Sequence, residues 1–103
     1  MAPIMIISTY PNKNSITKIA NELVKNKIVA CVNIIKISSV YSWKEKIENT
    51  SEYLALFKTT QKNKKHLKEK IKSTHPYDVP EIIEIDITSI NKSYLKWLVE
   101  STT

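Results

Sequence analysis

Ile28-Val29-Ala30-Cys31-Val32-Asn33-Ile34-Ile35-Lys36-Ile37-Ser38-Ser39-Val40-Tyr41-Ser42-Trp43 is the stretch on which the fold turns. It is far longer than the usual strand of about 5–6 residues. In its first half both alternating sets are apolar, Ile28, Ala30, Val32 and Ile34 against Val29, Cys31 and Ile35, the pattern of a strand covered on both faces. After Ile37 the pattern loosens through Ser38 and Ser39, and Val40, Tyr41 and Trp43 lead into a turn at Lys44-Glu45-Lys46. Ile47 to Lys58 then returns as the partner strand, which predicts a long hairpin with room for a bulge.

The flanking segments supply the remaining elements. Upstream, Ile4-Met5-Ile6-Ile7-Ser8-Thr9, ended by Tyr10-Pro11-Asn12, reads as a central strand buried on both faces. Asn14 or Ser15 can cap a helix whose Ile16, Ile19, Ala20, Leu23 and Val24 make one apolar stripe, with Asn26 at its end. Downstream, Thr59 or Thr60 caps a second helix over 61–72 that buries only Leu67 and Ile71 and carries lysines around most of its circumference. Ile83, Ile85 and Ile87 alternate with Glu84, Asp86 and Thr88 as a half-buried strand, and Ile90, Tyr94, Trp97 and Leu98 mark a terminal helix. The order β-α-β-β-α-β plus a helix is an α+β, ferredoxin-like arrangement, with helices on one face of a four-stranded antiparallel sheet. Strands apolar on both sides need cover on the open face, and a second copy of the same sheet supplies it, so self-association is expected.

Between the second helix and the last strand lies His75-Pro76-Tyr77-Asp78-Val79-Pro80-Glu81. Each proline fixes its own φ and pushes the residue before it toward extended geometry, so the helix must stop at His75. What remains is a stiff segment presenting an imidazole, a phenol and carboxylates, suited to a binding edge or a subunit contact.

The chain has 103 residues and is 42% hydrophobic, which predicts one domain over 1–103. No apolar run approaches the roughly 20 residues of a membrane span, and Met1-Ala2-Pro3-Ile4 lacks the charged start of a signal peptide. Cys31 is the only cysteine, so no disulfide forms within one chain and a reducing, cytoplasmic setting fits. The net charge of +6 comes from lysine without arginine, the residue whose planar fork reads guanines and phosphates, so sequence-specific nucleic-acid recognition is disfavoured. Glycine is absent altogether. That excludes glycine-rich phosphate loops and leaves asparagine to take the positive-φ positions.

Several of these residues together resemble a known family: Ala30-Cys31-Val32-Asn33-Ile34, Ser39-Val40-Tyr41-Ser42-Trp43-Lys44-Glu45-Lys46-Ile47-Glu48, Glu52, Phe57-Lys58-Thr59, the segment from His75 to Glu81, and Tyr94-Leu95-Lys96-Trp97. In this combination and order the chain is similar, nearly end to end, to the CutA family of divalent-cation tolerance proteins. The resemblance implies a ferredoxin-like fold assembled as a homotrimer, the hairpin of each subunit extending its neighbour's sheet. It also implies a cytoplasmic role in tolerance of copper and other divalent metals, structural likeness to the PII signalling proteins that bind small effectors in intersubunit clefts, and no settled enzymatic activity. The chain departs from the family pattern at Glu45, where glycine is usual at the hairpin tip. It departs again at Ser8 and Thr74, where copper-binding members can carry a cysteine and a second histidine.

The candidate site residues each admit two readings. His75 can ligate a metal, with Asp78 or Glu81, through neutral imidazole, or it can cap the second helix. Cys31 suits copper(I), or is a packed structural thiol between Ala30 and Val32. Tyr41, Trp43, Glu52, Lys58, Tyr77, Asp78 and Glu81 can line a ligand cleft. Alternatively they form a subunit interface, the aromatics burying area and Lys58 pairing with Glu52. His66 and the lysines from Lys62 to Lys72 read as solvated. No nucleophile elbow, zinc-binding helix or Cys/His motif is present, so catalysis is not expected.

Overall fold

The computed structural model describes residues 2–103 and orders them as β1 (Pro3–Tyr10), α1 (Lys13–Lys25), β2 (Cys31–Trp43), β3 (Lys46–Thr60), a 3-10 turn (Gln61–Asn63), α2 (Lys64–Thr74), β4 (Ile83–Asp86) and α3 (Lys92–Ser101). The four strands form one antiparallel sheet in the order β2-β3-β1-β4. Each βαβ unit is therefore split by a strand of the other, as in ferredoxin-like folds.

Period-two alternation decides which side chains meet the helices. Ile4, Ile6 and Tyr10 of β1 face the same way as Ala55 and Phe57 of β3, and all are buried with Ile16, Ile19 and Leu23 of α1 and Leu67 and Ile71 of α2. α1 starts where Asn12, not Asn14 or Ser15, accepts a 2.9 Å hydrogen bond from the Ser15 amide. Val24, expected on its apolar stripe, is 44% exposed, because the stripe ends at Leu23.

β2 begins at Cys31, and Ile28, Val29 and Ala30 form the buried approach to it rather than its first turn of pleat. The Ile28 carbonyl accepts from the buried Thr59 hydroxyl at 2.7 Å, which assigns Thr59 to the end of β3 instead of to a helix cap. Thr60 occupies the position before the 3-10 turn but makes no side-chain capping bond.

The hairpin has no bulge: its register runs unbroken from Cys31 opposite Lys58 to Trp43 opposite Lys46. Lys44 and Glu45 alone make the turn, with φ of 51° and 65°, the two positive values of a type I′ loop. The third positive φ is Lys27 at 60°, just past Asn26, whose own φ is −86°. Asparagine therefore does not stand in for the missing glycine. Lysine and glutamate with solvated side chains take the left-handed positions instead, at a cost of about 1–2 kcal/mol each. Glu45→Gly should accordingly raise stability by roughly 1 kcal/mol in a urea titration, and an unchanged or lowered midpoint would contradict the turn assignment.

The hairpin tip runs past the helices, leaving Val40 69% and Ile47 70% exposed. It stretches the protein to 45 × 26 × 21 Å with a radius of gyration of 14.3 Å, above the about 13 Å of a compact chain this long.

The second sheet face agrees with one expectation and corrects another. First, the chain leaves that face open, as expected, so any cover must come from outside one copy. Met5 and Ile7 are only partly buried, and Ile35, Ile83 and Ile85 are 47%, 48% and 38% exposed. In β4 the inward positions belong to the acidic set: Glu84 sits opposite Ile6, and Lys64 and Lys68 of α2 reach it at 3.3 and 2.7 Å. Hydrogen bonding from Lys68, then from Lys64, holds the Glu84 carboxyl below its usual range. Second, α3 does not share the face of α1 and α2. Lys58, on the opposite face from Phe57, places its ammonium 5.6 Å from the Tyr94 ring centre. α3 thus covers one end of the open face and leaves an apolar band, Ile35, Leu54, Ile7 and Ile83, uncovered across all four strands.

Candidate functional site

The residues after α2 cross the end of the sheet. His75 ends the helix in extended geometry, φ −73° and ψ 135°, as its position before Pro76 requires. Its ring stacks on Tyr10 at 4.2 Å between centres. The Tyr77 amide donates to Nδ1 at 3.1 Å, so in the neutral ring the proton lies on Nε2, which points to the buried Ser8 hydroxyl at 3.1 Å. His75 is thereby an anchor between β1 and the proline segment, and neither ring nitrogen keeps a free lone pair for a metal. The same tautomer makes the Ser8–His75 contact the reverse of a nucleophile–base pair, because Nε2 donates to the hydroxyl instead of accepting from it.

Burial pushes the His75 pKa below its usual 6.5, only partly opposed by the Thr9 backbone. Burial likewise carries the Tyr10 phenol up to about 12. A histidine with a depressed folded-state pKa contributes stability that is complete above the unfolded value and is lost as pH falls toward the folded one. Denaturant titrations should therefore show stability falling as pH drops below 6.5. In His75→Gln that component of the pH dependence should be absent, and an identical profile in the variant would contradict the anchor.

Beyond this anchor the proline segment and the second face of the hairpin enclose a cleft of about 760 Å³. Pro76, Tyr77, Asp78, Val79 and Glu81 form one wall; Ile37, Ser39, Val40, Tyr41 and Trp43 of β2 form the other, with Thr9 and Glu52 also lining it. Of the candidate residues, Tyr41, Trp43, Glu52, Tyr77, Asp78 and Glu81 meet here, and the wall contains three carboxylates and no basic side chain. Glu52 is only 6% exposed as a residue and has no salt-bridge partner among the described residues, although its carboxylate oxygens are not among the water-excluded polar atoms left unpaired. Burial, followed by the nearby Glu52 charge and the Tyr41 phenol, raises the Tyr77 pKa.

Lys58 and Cys31 lie elsewhere. They sit opposite each other where β2 begins, and Lys58 is six residues, about 20 Å of strand, from Glu52. The anticipated Lys58–Glu52 ion pair therefore does not form. Cys31 is a half-exposed free thiol whose Sγ lies 3.7 Å from Asn33 Oδ1, so it is neither fully packed nor near His75. No group of three His, Cys, Asp or Glu side chains among the described residues converges as a metal site. Sequence reasoning missed the supporting role of Ser8 and Tyr10, for which Tyr10 offered only the signal of ending a strand. Nor did it place Ile37, Ser39 and Val79 in the cleft.

The model of the CutA1 divalent ion tolerance protein family matches residues 4–101. The chain belongs to that family. It is 42% identical over 99 residues to the divalent-cation tolerance protein CutA of Pyrococcus horikoshii, covering 96% of this chain and 97% of that protein. It is 43% identical over 100 residues to the chloroplastic protein CutA of Arabidopsis thaliana, covering 96% of this chain and 55% of that longer one. The fold superposes on the crystal structure of the divalent ion tolerance protein CutA1 from Ehrlichia chaffeensis with a TM-score of 0.94 and 37% identity, over 99% of this chain and 96% of that one. The CutA family names describe tolerance of divalent cations and not a catalysed reaction. Among the described residues, no helix of this CutA1-family chain is long and apolar enough to cross a membrane.

Proposed function

We propose that this chain serves divalent-cation tolerance as a homotrimer, holding a cation in the cleft between the proline segment and the hairpin. Glu52 carries this reading. As a residue Glu52 is only 6% exposed, it has no salt-bridge partner among the described residues, and the cleft lining supplies no basic side chain, so an incoming positive charge is the counter-ion its carboxylate lacks. The other charges lining the cleft, Asp78 and Glu81, have the same sign. Assembly is supported by the uncovered apolar band, since soluble proteins seldom leave a contiguous band of that kind to water. Closed symmetric association is the common way to cover it. A lone free thiol suits a reducing compartment, and the cytoplasm is the proposed location.

Copper, the ion implied by the family likeness, does not fit the donors of the single chain. His75 has both nitrogens engaged, Cys31 is at the other end of the hairpin, and the cleft offers oxygens, which favour harder cations. The effector reading, in which the intersubunit cleft takes a small molecule, is favoured by the aromatic walls, with the carboxylates selecting a positively charged one over an anion.

Sedimentation equilibrium together with calorimetric titration by copper, zinc and calcium tests the proposal. A particle of three chains that binds a divalent ion saturably, with binding retained in Cys31→Ala, is expected. A concentration-independent monomer, or no saturable uptake of any of the three ions, would overturn it.

A further inference from the structure

We infer that the cleft recognises an organic ammonium ion, a protonated amine carried on an apolar body, whose nitrogen meets Glu52 while Tyr41, Trp43 and Tyr77 cover the remainder. This rests on the reading of the cleft as a cation site and names the class of cation.

Three observations separate an ammonium ion from a bare metal. A metal ion needs several inner ligands converging within about 2–2.6 Å, and no three candidate donors among the described residues converge in that way. An ammonium ion needs only one buried carboxylate and the faces of aromatic rings. Glu52 supplies the first, a largely buried residue that lines the cavity and has no salt-bridge partner among the described residues. The rings supply the second. Tyr41 and Trp43 are 40% and 46% exposed, large aromatic surfaces for a chain to leave uncovered, and both face the same cavity as Tyr77.

The third observation is that an ammonium already sits at one of these rings. Lys44 Nζ lies 5.9 Å from the Trp43 ring centre, within the range at which the ring quadrupole attracts a cation. The contact shows that the Trp43 ring is accessible to an ammonium group at cation–π distance. Ile37, Val40, Pro76 and Val79 complete the lining, and these apolar groups would strengthen the hold on an amine's hydrocarbon while giving nothing to a hydrated metal. The volume of about 760 Å³ is in the range of small-molecule sites. It exceeds by far what one metal ion needs.

The test uses three probes of one shape and different charge: phenethylammonium, neutral 2-phenylethanol and phenylacetate. Each is titrated by calorimetry into the intact assembly at neutral pH, with zinc and calcium titrated in parallel. Phenethylammonium should bind saturably, 2-phenylethanol at least about ten-fold more weakly and phenylacetate not at all. Glu52→Gln, which keeps the side-chain shape, should weaken the amine by about ten-fold or more while leaving the alcohol unchanged, and Trp43→Leu should weaken both. Circular dichroism and sedimentation verify that each variant is folded, and Asp78→Asn, in an exposed position, provides a second charge removal independent of the buried one.

Alcohol binding as tight as the amine, or amine binding indifferent to both Glu52→Gln and Asp78→Asn, overturns the inference. Zinc or calcium taken up in a Glu52-dependent manner with no uptake of the amine overturns it while leaving the divalent-cation reading intact. Absence of every cation overturns both.

Discussion

Phe57→Ala should destabilise the protein by about 3–5 kcal/mol, the range found when a large buried aromatic is truncated and the surrounding core collapses only in part. Phe57 has no exposed surface and sits opposite Ile6 on one side and Val32 on the other. It is thus the residue at which β1, β2 and the helical layer meet. Domains of this size have only about 5–15 kcal/mol of net stability, so the variant should lose a large share of it. Urea titration is the measurement, made at one fixed chain concentration because association would otherwise shift the midpoint. A loss below about 1 kcal/mol would mean that the helical layer is not the principal core.

Ile35→Lys and Ile83→Lys should each leave the chain folded and abolish the proposed trimer. Both side chains are about half exposed, at 47% and 48%, so within one subunit a lysine there is a surface change of small cost. In an assembly that covers the apolar band, the same lysine buries an unpaired ammonium once per copy, a cost of several kcal/mol each. Sedimentation equilibrium should report one chain per particle in the variants with the parent's circular dichroism spectrum preserved. A variant that still assembles as the parent does would remove the band from the interface.

The succession of strands and helices along the chain was legible because it follows from patterns of period two and 3.6 that survive any detail of packing. Leu67 and Ile71 on a lysine-rich helix, and the stop at His75 before Pro76, are of this kind. What was not legible depended on neighbours. In β4 the alternation of isoleucine with acid was plain, but which set faced the helices was decided by Lys64 and Lys68 arriving at Glu84, and no local rule supplies that. The side taken by α3 was hidden for the same reason. Around the cleft, Tyr41, Trp43 and the carboxylates carried a signal of their own type, whereas Ser8 and Tyr10 acquire a role only when His75 is brought to them across sixty-odd residues of chain. The Lys58–Glu52 ion pair was misread because six residues along one strand separate groups that adjacent motifs had made look like partners.

The placement of β1 between β3 and β4 has a consequence for synthesis. The first strand to leave the ribosome is the last to be satisfied on both edges, since one neighbour spans residues 46–60 and the other 83–86. The hairpin, whose contacts are local, can zip as soon as its own residues emerge. Ile4, Ile6 and Ile7 must wait with one open hydrogen-bonding edge until residues 83–86 have been delivered, which keeps β1 available for wrong pairing longer than either strand of the hairpin.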